Sequence, residues 1–232
     1  MVIQEAEYPP IYWDRMNYVS NDRSRLGQSM HQVLCRLSMI AMFAAGCLQA
    51  AGSEKLTIVF DFQGPHSSRS ISEMQQEVAG ILKDSGLTLK WRALERTDGA
   101  TDAGDNENLV VVRFNGRCIL EPNPVLYDER GPLAFTHTSD GAVLPFSEVA
   151  CDQVTASMRS AMFGGDYAQG EQLLGRALGR VVAHELVHIL TNSHDHGREG
   201  VAKSALSGSQ LITPRLPLSS SDLERLRAEH HR

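Results

Sequence analysis

Ala183-His184-Glu185-Leu186-Val187-His188-Ile189-Leu190-Thr191 closes a periodic run that begins near Gln169. Leu173, Ala177, Val181, His184 and His188 recur at spacings of four and three, which places them on one face of a single helix. Two histidines four apart on a helix stand one above the other, so both imidazoles reach a common cation. Zinc favours such nitrogen ligands. Glu185, next in sequence to the first histidine, falls beside the open coordination position, where a carboxylate can take a proton from a metal-activated water. Residue types and spacing together make the HExxH pattern. The alternative is an ordinary helix with two histidines on its face. It is disfavoured by the firm helical period and by His194 and His196 just downstream.

A catalytic zinc site takes three protein ligands and leaves the fourth position open. In this respect the segment resembles the metzincin clan, whose pattern is HExxHxxGxxH, and His194 stands at the metzincin distance from His188. The strand-helix-strand-strand order ahead of the helix is also similar to the upper subdomain of that clan. The likeness covers most of residues 55–200 in layout and a dozen residues in motif. It implies a zincin-like α+β fold: a mixed, twisted sheet with a β-α-β start, an active-site helix and a small C-terminal helical segment. It further implies one bound Zn2+, a peptide or protein substrate, and hydrolysis with Glu185 as the base.

Two departures from the pattern bear on the site. Thr191 replaces the helix-breaking glycine, and a β-branched residue is poor at positive φ. Asn192 tolerates that conformation better, so the helix is expected to run one residue longer. The third ligand is then delayed too. His196 rivals His194 and is slightly preferred, only one of the two binding, with Asp195 and Glu199 as outside alternatives. The second departure concerns the methionine turn. No methionine follows Met162, and Gly200-Val201-Ala202-Lys203 resembles the turn with Ala202 in the methionine's place. Gluzincins, which are less similar, take a glutamate from a later helix; Glu224 is the available residue.

Outward from this helix, Leu56–Phe62 reads as a strand rich in β-branched and aromatic residues. A helix follows with Ser70 and Glu73 as its capping box and Ile71, Met74, Val78, Ile81 and Leu82 on one face; Gly86 ends it. Leu87–Arg92 alternates as a second strand, making a β-α-β unit whose strands run parallel. Leu109–Phe114 is apolar enough for a central strand. Ser139-Asp140-Gly141 marks a hairpin between Leu133–Thr138 and Ala142–Phe146. One of these strands is expected to hold substrate in extended form, with His137 or Tyr127 as candidate oxyanion donors. Cys151–Met162 reads as a helix stopped by Gly164-Gly165, and Gly175 and Gly179 suggest that the histidine helix packs closely against the sheet. A last helix is expected from Ser221, capped with Glu224.

The chain of 232 residues is 42% hydrophobic and 22% charged, with a net charge of −6. Scattered basic residues on an acidic chain argue against nucleic acid as a partner. Residues 30–52 have the layout of a secretory signal peptide: Arg36, the uncharged Leu37–Ser53 with its apolar core at 39–45, then small residues at 50–52. Met30 is then the expected start, residues 1–29 an extension ahead of it, and residues 53–232 the mature domain. Ala44-Ala45-Gly46-Cys47 also resembles a lipobox, so contact with a membrane is expected only through the signal or a lipid anchor. The protein is thus expected to be secreted or held in the cell envelope, where disulfides persist. Cys118 and Cys151 are the two cysteines beyond the signal, and they are expected to be bonded. The leading reading is an exported zinc metallopeptidase. Its alternatives are a zincin-fold protein that binds zinc without hydrolysing peptides, and a structural lipoprotein.

Overall fold

The structure is a computed structural model that describes residues 54–94, 108–121 and 131–229. The expected extension, signal peptide and lipobox lie outside the described residues, as does Tyr127. Five strands, β1 (Glu54–Phe62), β2 (Leu87–Ala93), β3 (Leu109–Asn115), β4 (Ala134–Ser139) and β5 (Ala142–Ala150), form one mixed sheet in the order β2-β1-β3-β5-β4. The helices are α1 (Ser68–Leu82), α2 (Cys151–Arg159), α3 (Gly170–Leu190), α4 (Gly208–Ile212) and α5 (Ser220–Glu229), with a short 3-10 turn at Gly164–Gln169. This is the expected α+β class. No described helix is long and apolar enough to cross a membrane.

β1 and β2 run parallel with α1 as their crossover, and β1–β3 and β3–β5 are parallel too. β3 is the central strand, as its apolar run requires. β4 alone is antiparallel, folded back on β5 through Asp140 (φ 52) and Gly141 (φ 82). Two consecutive positive φ values match the right-handed twist of a hairpin, and the Asp-Gly pair supplies them cheaply. Alternation along the strands sends Leu56 and Ile58, Val110, Val112 and Phe114, and Val149 into the core. Met74, Val78, Leu82, Leu174, Leu178 and Leu186 of α1 and α3 join them there.

α1 is capped by Ser67 rather than Ser70: the Ser67 side chain accepts from the Ser70 N–H, and the Ser70 hydroxyl instead donates across to the Glu171 carbonyl at 3.0 Å. At α5 the capping hydroxyl is likewise Ser219, not Ser221, accepting from Asp222 N at 3.1 Å. Gly175 and Gly179 do pack closely, but against α1 rather than the sheet. A Cβ at Gly175 would stand 2.6 Å from the Ser70 carbonyl oxygen, and one at Gly179 would stand 2.9 Å from that of Met74. Any larger residue would push the two helices apart.

Arg180 is fully enclosed at this junction. Its Nε donates to Glu77 of α1 at 2.8 Å, and its two terminal nitrogens donate to the carbonyls of Gln210 and Thr213 at 2.5 and 2.6 Å. One side chain thereby fastens α1, α3 and the C-terminal segment together. Cys118, after β3, is disulfide-bonded to Cys151 at the start of α2 across 33 residues. A closed loop of that length removes about 3–4 kcal/mol of unfolded-state entropy in the chain-entropy account.

Candidate metal centre

α3 carries His184, Glu185 and His188 under the cleft-facing side of the hairpin. The helix ends as its sequence requires: Thr191 stays at negative φ (−97) and the break falls on Asn192 at φ 42. Asn192 Oδ1 also accepts from Val143 N at 3.0 Å, tying the end of the helix to β5. The chain then doubles back. Ser193 N donates to the His188 carbonyl at 3.1 Å, and the Ser193 carbonyl accepts from His188 Nδ1 at 2.8 Å.

The returning chain brings His196 to the two helical histidines. Ligating atoms of His184, His188 and His196 lie within 4.8 Å of one another. The His196 ring centroid is 5.3 Å from that of His184 and 4.8 Å from that of His188. His194 borders the same cleft, yet its ring is 6.2 Å from that of His188 and it does not join the triad. Asp195, Glu199 and Glu224 are exposed and outside the triad as well. The turn at Gly200-Val201-Ala202 lies directly beneath: Gly200 has φ 70, Val201 and Ala202 are buried, and the Val201 carbonyl accepts from His184 Nδ1 at 2.9 Å.

These two carbonyl contacts set the tautomers, as the hydrogen-bond network requires. With Nδ1–H of both His184 and His188 given to a carbonyl, each Nε2 carries a bare lone pair. The two Nε2 atoms face each other at 3.1 Å. A hydrogen bond between them would need a proton on one Nε2. That means either an imidazolium or the loss of a carbonyl contact. Burial opposes the first, holding both histidines below the ordinary imidazole range; the Val201 and Ser193 carbonyls act the other way, and the neighbouring imidazoles add to the lowering. Two opposed lone pairs call for a cation between them. Their separation is close to the roughly 3.4 Å edge of a tetrahedron with zinc–nitrogen bonds of about 2.0–2.1 Å. The residues present therefore fit a zinc ion, with the exposed His196 as the third nitrogen of the group.

Glu185 is buried among these groups. Burial pushes its carboxyl above the ordinary carboxylate range, partly offset by the Thr136 hydroxyl and by His188 and His196. Thr136 Oγ1 donates to Glu185 Oε2 at 2.6 Å and lies 2.7 Å from Ser147 Oγ. A hydroxyl has one proton, so with Thr136 committed to the carboxylate, Ser147 is the donor in the second contact. Neither Thr136 nor Ser147 was singled out from the sequence. The pairing of Thr136 with Ser147 across the hairpin creates the relay, and no motif announces a strand register.

The adjacent His137, a candidate oxyanion donor, points the other way. It contacts Glu148 at 3.1 Å and stacks on Phe146, on the opposite face of the sheet from Glu185. Successive strand residues alternate faces, and Thr136 occupies the inner one.

The cleft over the histidines has a volume of about 440 Å³. Gly131–Thr136 form one wall, Lys203–Leu206 the other, and Val181, His184, Glu185 and His188 the floor. No family model and no curated protein matches the chain. Among solved structures it is similar to the crystal structure of archaemetzincin from Methanopyrus kandleri, at 14% sequence identity and a TM-score of 0.45, over 80% of this chain and 100% of that one. At that level of likeness the fold assignment rests on this chain's own sheet order and helix placement.

Proposed function

We propose that this chain is an exported zinc-dependent metallopeptidase, with His184, His188 and His196 as metal ligands and Glu185 as the catalytic base. The observation that carries the reading is the pair of Nε2 atoms 3.1 Å apart, with both Nδ1 atoms at carbonyls and a third imidazole and a buried carboxylate beside them. Zinc held there supplies a Lewis acid that polarises a carbonyl and makes water acidic enough to be deprotonated near neutral pH.

The chain's own residues do the rest. The hydrogen bond from Thr136 fixes Glu185 Oε2 and leaves Oε1 without a partner among the described residues, free to accept a proton from water. Burial raises the basicity of that carboxylate, so it can hold the proton and pass it to the leaving amine. The carbonyls of Val201 and Ser193 lock both helical imidazoles in the ligating tautomer, as outer-sphere acceptors commonly do at metal sites. Among the described residues β4 is the edge of the sheet, paired on one side only, and its residues line the cleft. Its free backbone groups suit an extended peptide laid alongside as an added strand. The Cys118–Cys151 disulfide accords with an oxidising compartment, and with residues 30–52 as an export signal.

Purified protein is expected to cleave a general substrate such as casein, to lose that activity when a chelator strips the metal, and to regain it with one equivalent of zinc. Cleavage that persists undiminished through chelation would contradict the proposal.

A further inference from the structure

We propose that Lys203 is the specificity-determining cation of the cleft and binds a substrate carboxylate next to the scissile bond. The inference rests on the peptidase reading above and extends it to the class of substrate.

Among the described residues lining the cleft, Lys203 is the one lysine or arginine. Its backbone is fixed. Gly197 N donates to the Ala202 carbonyl at 2.8 Å, Gly197 and Lys203 form an isolated parallel bridge, and Val201 N donates to the Pro217 carbonyl at 3.1 Å. Two residues earlier, the Val201 carbonyl meets His184 Nδ1. The Lys203 Cα is thus registered to a helical histidine rather than carried on a loose loop. Ala202 turns into the core and Lys203, half-buried, turns into the cleft.

Among the described residues the ammonium forms no ion pair or hydrogen bond, and Glu185 is the one acidic residue of the cleft lining. No hydrogen bond or ion pair joins the two; Glu185 is held instead by Thr136. The described lining mixes apolar side chains, Leu133, Ala134, Val181 and Leu206 among them, with hydroxyls and imidazoles. A half-buried positive charge in a cleft is screened less than one on an open surface, and attracts an anion more strongly. A solvated surface lysine, the plainer reading, needs neither the anchored backbone nor the cleft-facing position. On a chain of net charge −6 this local positive site also gives a carboxylate-bearing peptide a preferred place to dock.

A carboxylate can come from an acidic side chain or from the free C-terminus of a short peptide. A fluorogenic peptide series, with Glu or Gln flanking the cleaved bond and with a free or amidated C-terminus, separates the two. The expected result with the zinc-loaded full-length protein is a KM lower by roughly ten- to a hundredfold for the carboxylate member of one pair, from a single charge-assisted contact. Lys203→Ala is expected to raise that KM to the neutral level, Lys203→Arg to retain the preference, and Lys203→Glu to invert it towards lysine peptides. Zinc content serves as the check on folding.

Binding of the same peptides to the Glu185→Gln protein, read by fluorescence anisotropy, gives a measure independent of turnover. Equal KM values across every pair, or a preference that survives in Lys203→Ala, would overturn the proposal and leave the peptidase reading standing. Carboxylate-selective binding lost in Lys203→Ala, with no peptide ever cleaved, would support the site and overturn the peptidase. Absence of both binding and cleavage would overturn both.

Discussion

Glu185→Gln is expected to keep its zinc and to lose peptide hydrolysis by about 10²–10⁴-fold, the range set by removal of a general base. Glutamine has nearly the shape of glutamate, and its amide oxygen can still accept from Thr136, so the local packing survives. It cannot take a proton from water at neutral pH. Because Glu185 is not one of the three converging imidazoles, metal affinity is expected to change little. The burial that raises the carboxyl pKa in the parent is removed as a cost in the variant, so the stability of the fold is expected to hold or rise. Cleavage of casein within a few-fold of the parent rate would rule Glu185 out as the base. Parent and variant both binding zinc and both inert would instead favour a zinc-binding protein without hydrolase activity.

Arg180→Met is expected to destabilise the fold by about 3 kcal/mol, near the lower end of the range for breaking a buried ion pair. The Arg180 side chain is 0% exposed and that of Glu77 is 21% exposed; Glu77 keeps some water and Arg176 Nε at 4.0 Å. The carbonyls of Gln210 and Thr213 lose their charged donor. Desolvation already lowers the pKa of this guanidinium below its ordinary value against the support of Glu77, which marks how dry the site is. Methionine fills much of the volume, so the loss measures the polar contacts rather than a cavity. Urea unfolding of parent and variant reads it directly. A difference below about 1 kcal/mol would show that water or side-chain rearrangement satisfies the orphaned groups.

Periodicity carried most of the fold. The apolar face of α3 was legible because its period is helical from Leu173 to His188, and Leu109–Phe114 announced a central strand by an apolar run that only Arg113 interrupts. The Asp140-Gly141 turn and the parallel β1–β2 pair followed from local rules. What depended on neighbours was not legible. Serines crowd the starts of both α1 and α5, and which one caps is decided by where the chain enters the turn; in each case an earlier serine wins. Gly175 and Gly179 advertised a close approach without saying that the partner is α1. Arg180 looked like any helical arginine until the C-terminal segment folded over it.

The site divides in the same way. His184, Glu185 and His188 were visible because one helical turn sets their geometry. The choice between His194 and His196 depended on a backbone break, and the sequence offered only the hint that Asn192 suits positive φ better than Thr191. Thr136 and Ser147 were invisible because they act through strand register. His137, one residue away, looked the better chemist and faces the wrong side of the sheet.

Metal content of the purified protein and its single-alanine variants decides whether the three imidazoles hold zinc. One zinc per chain is expected in the parent, with loss of that zinc in His184→Ala, His188→Ala and His196→Ala and its retention in His194→Ala. A parent that holds no stoichiometric zinc, or triad variants that bind it as tightly as the parent does, would rule out the three-histidine site.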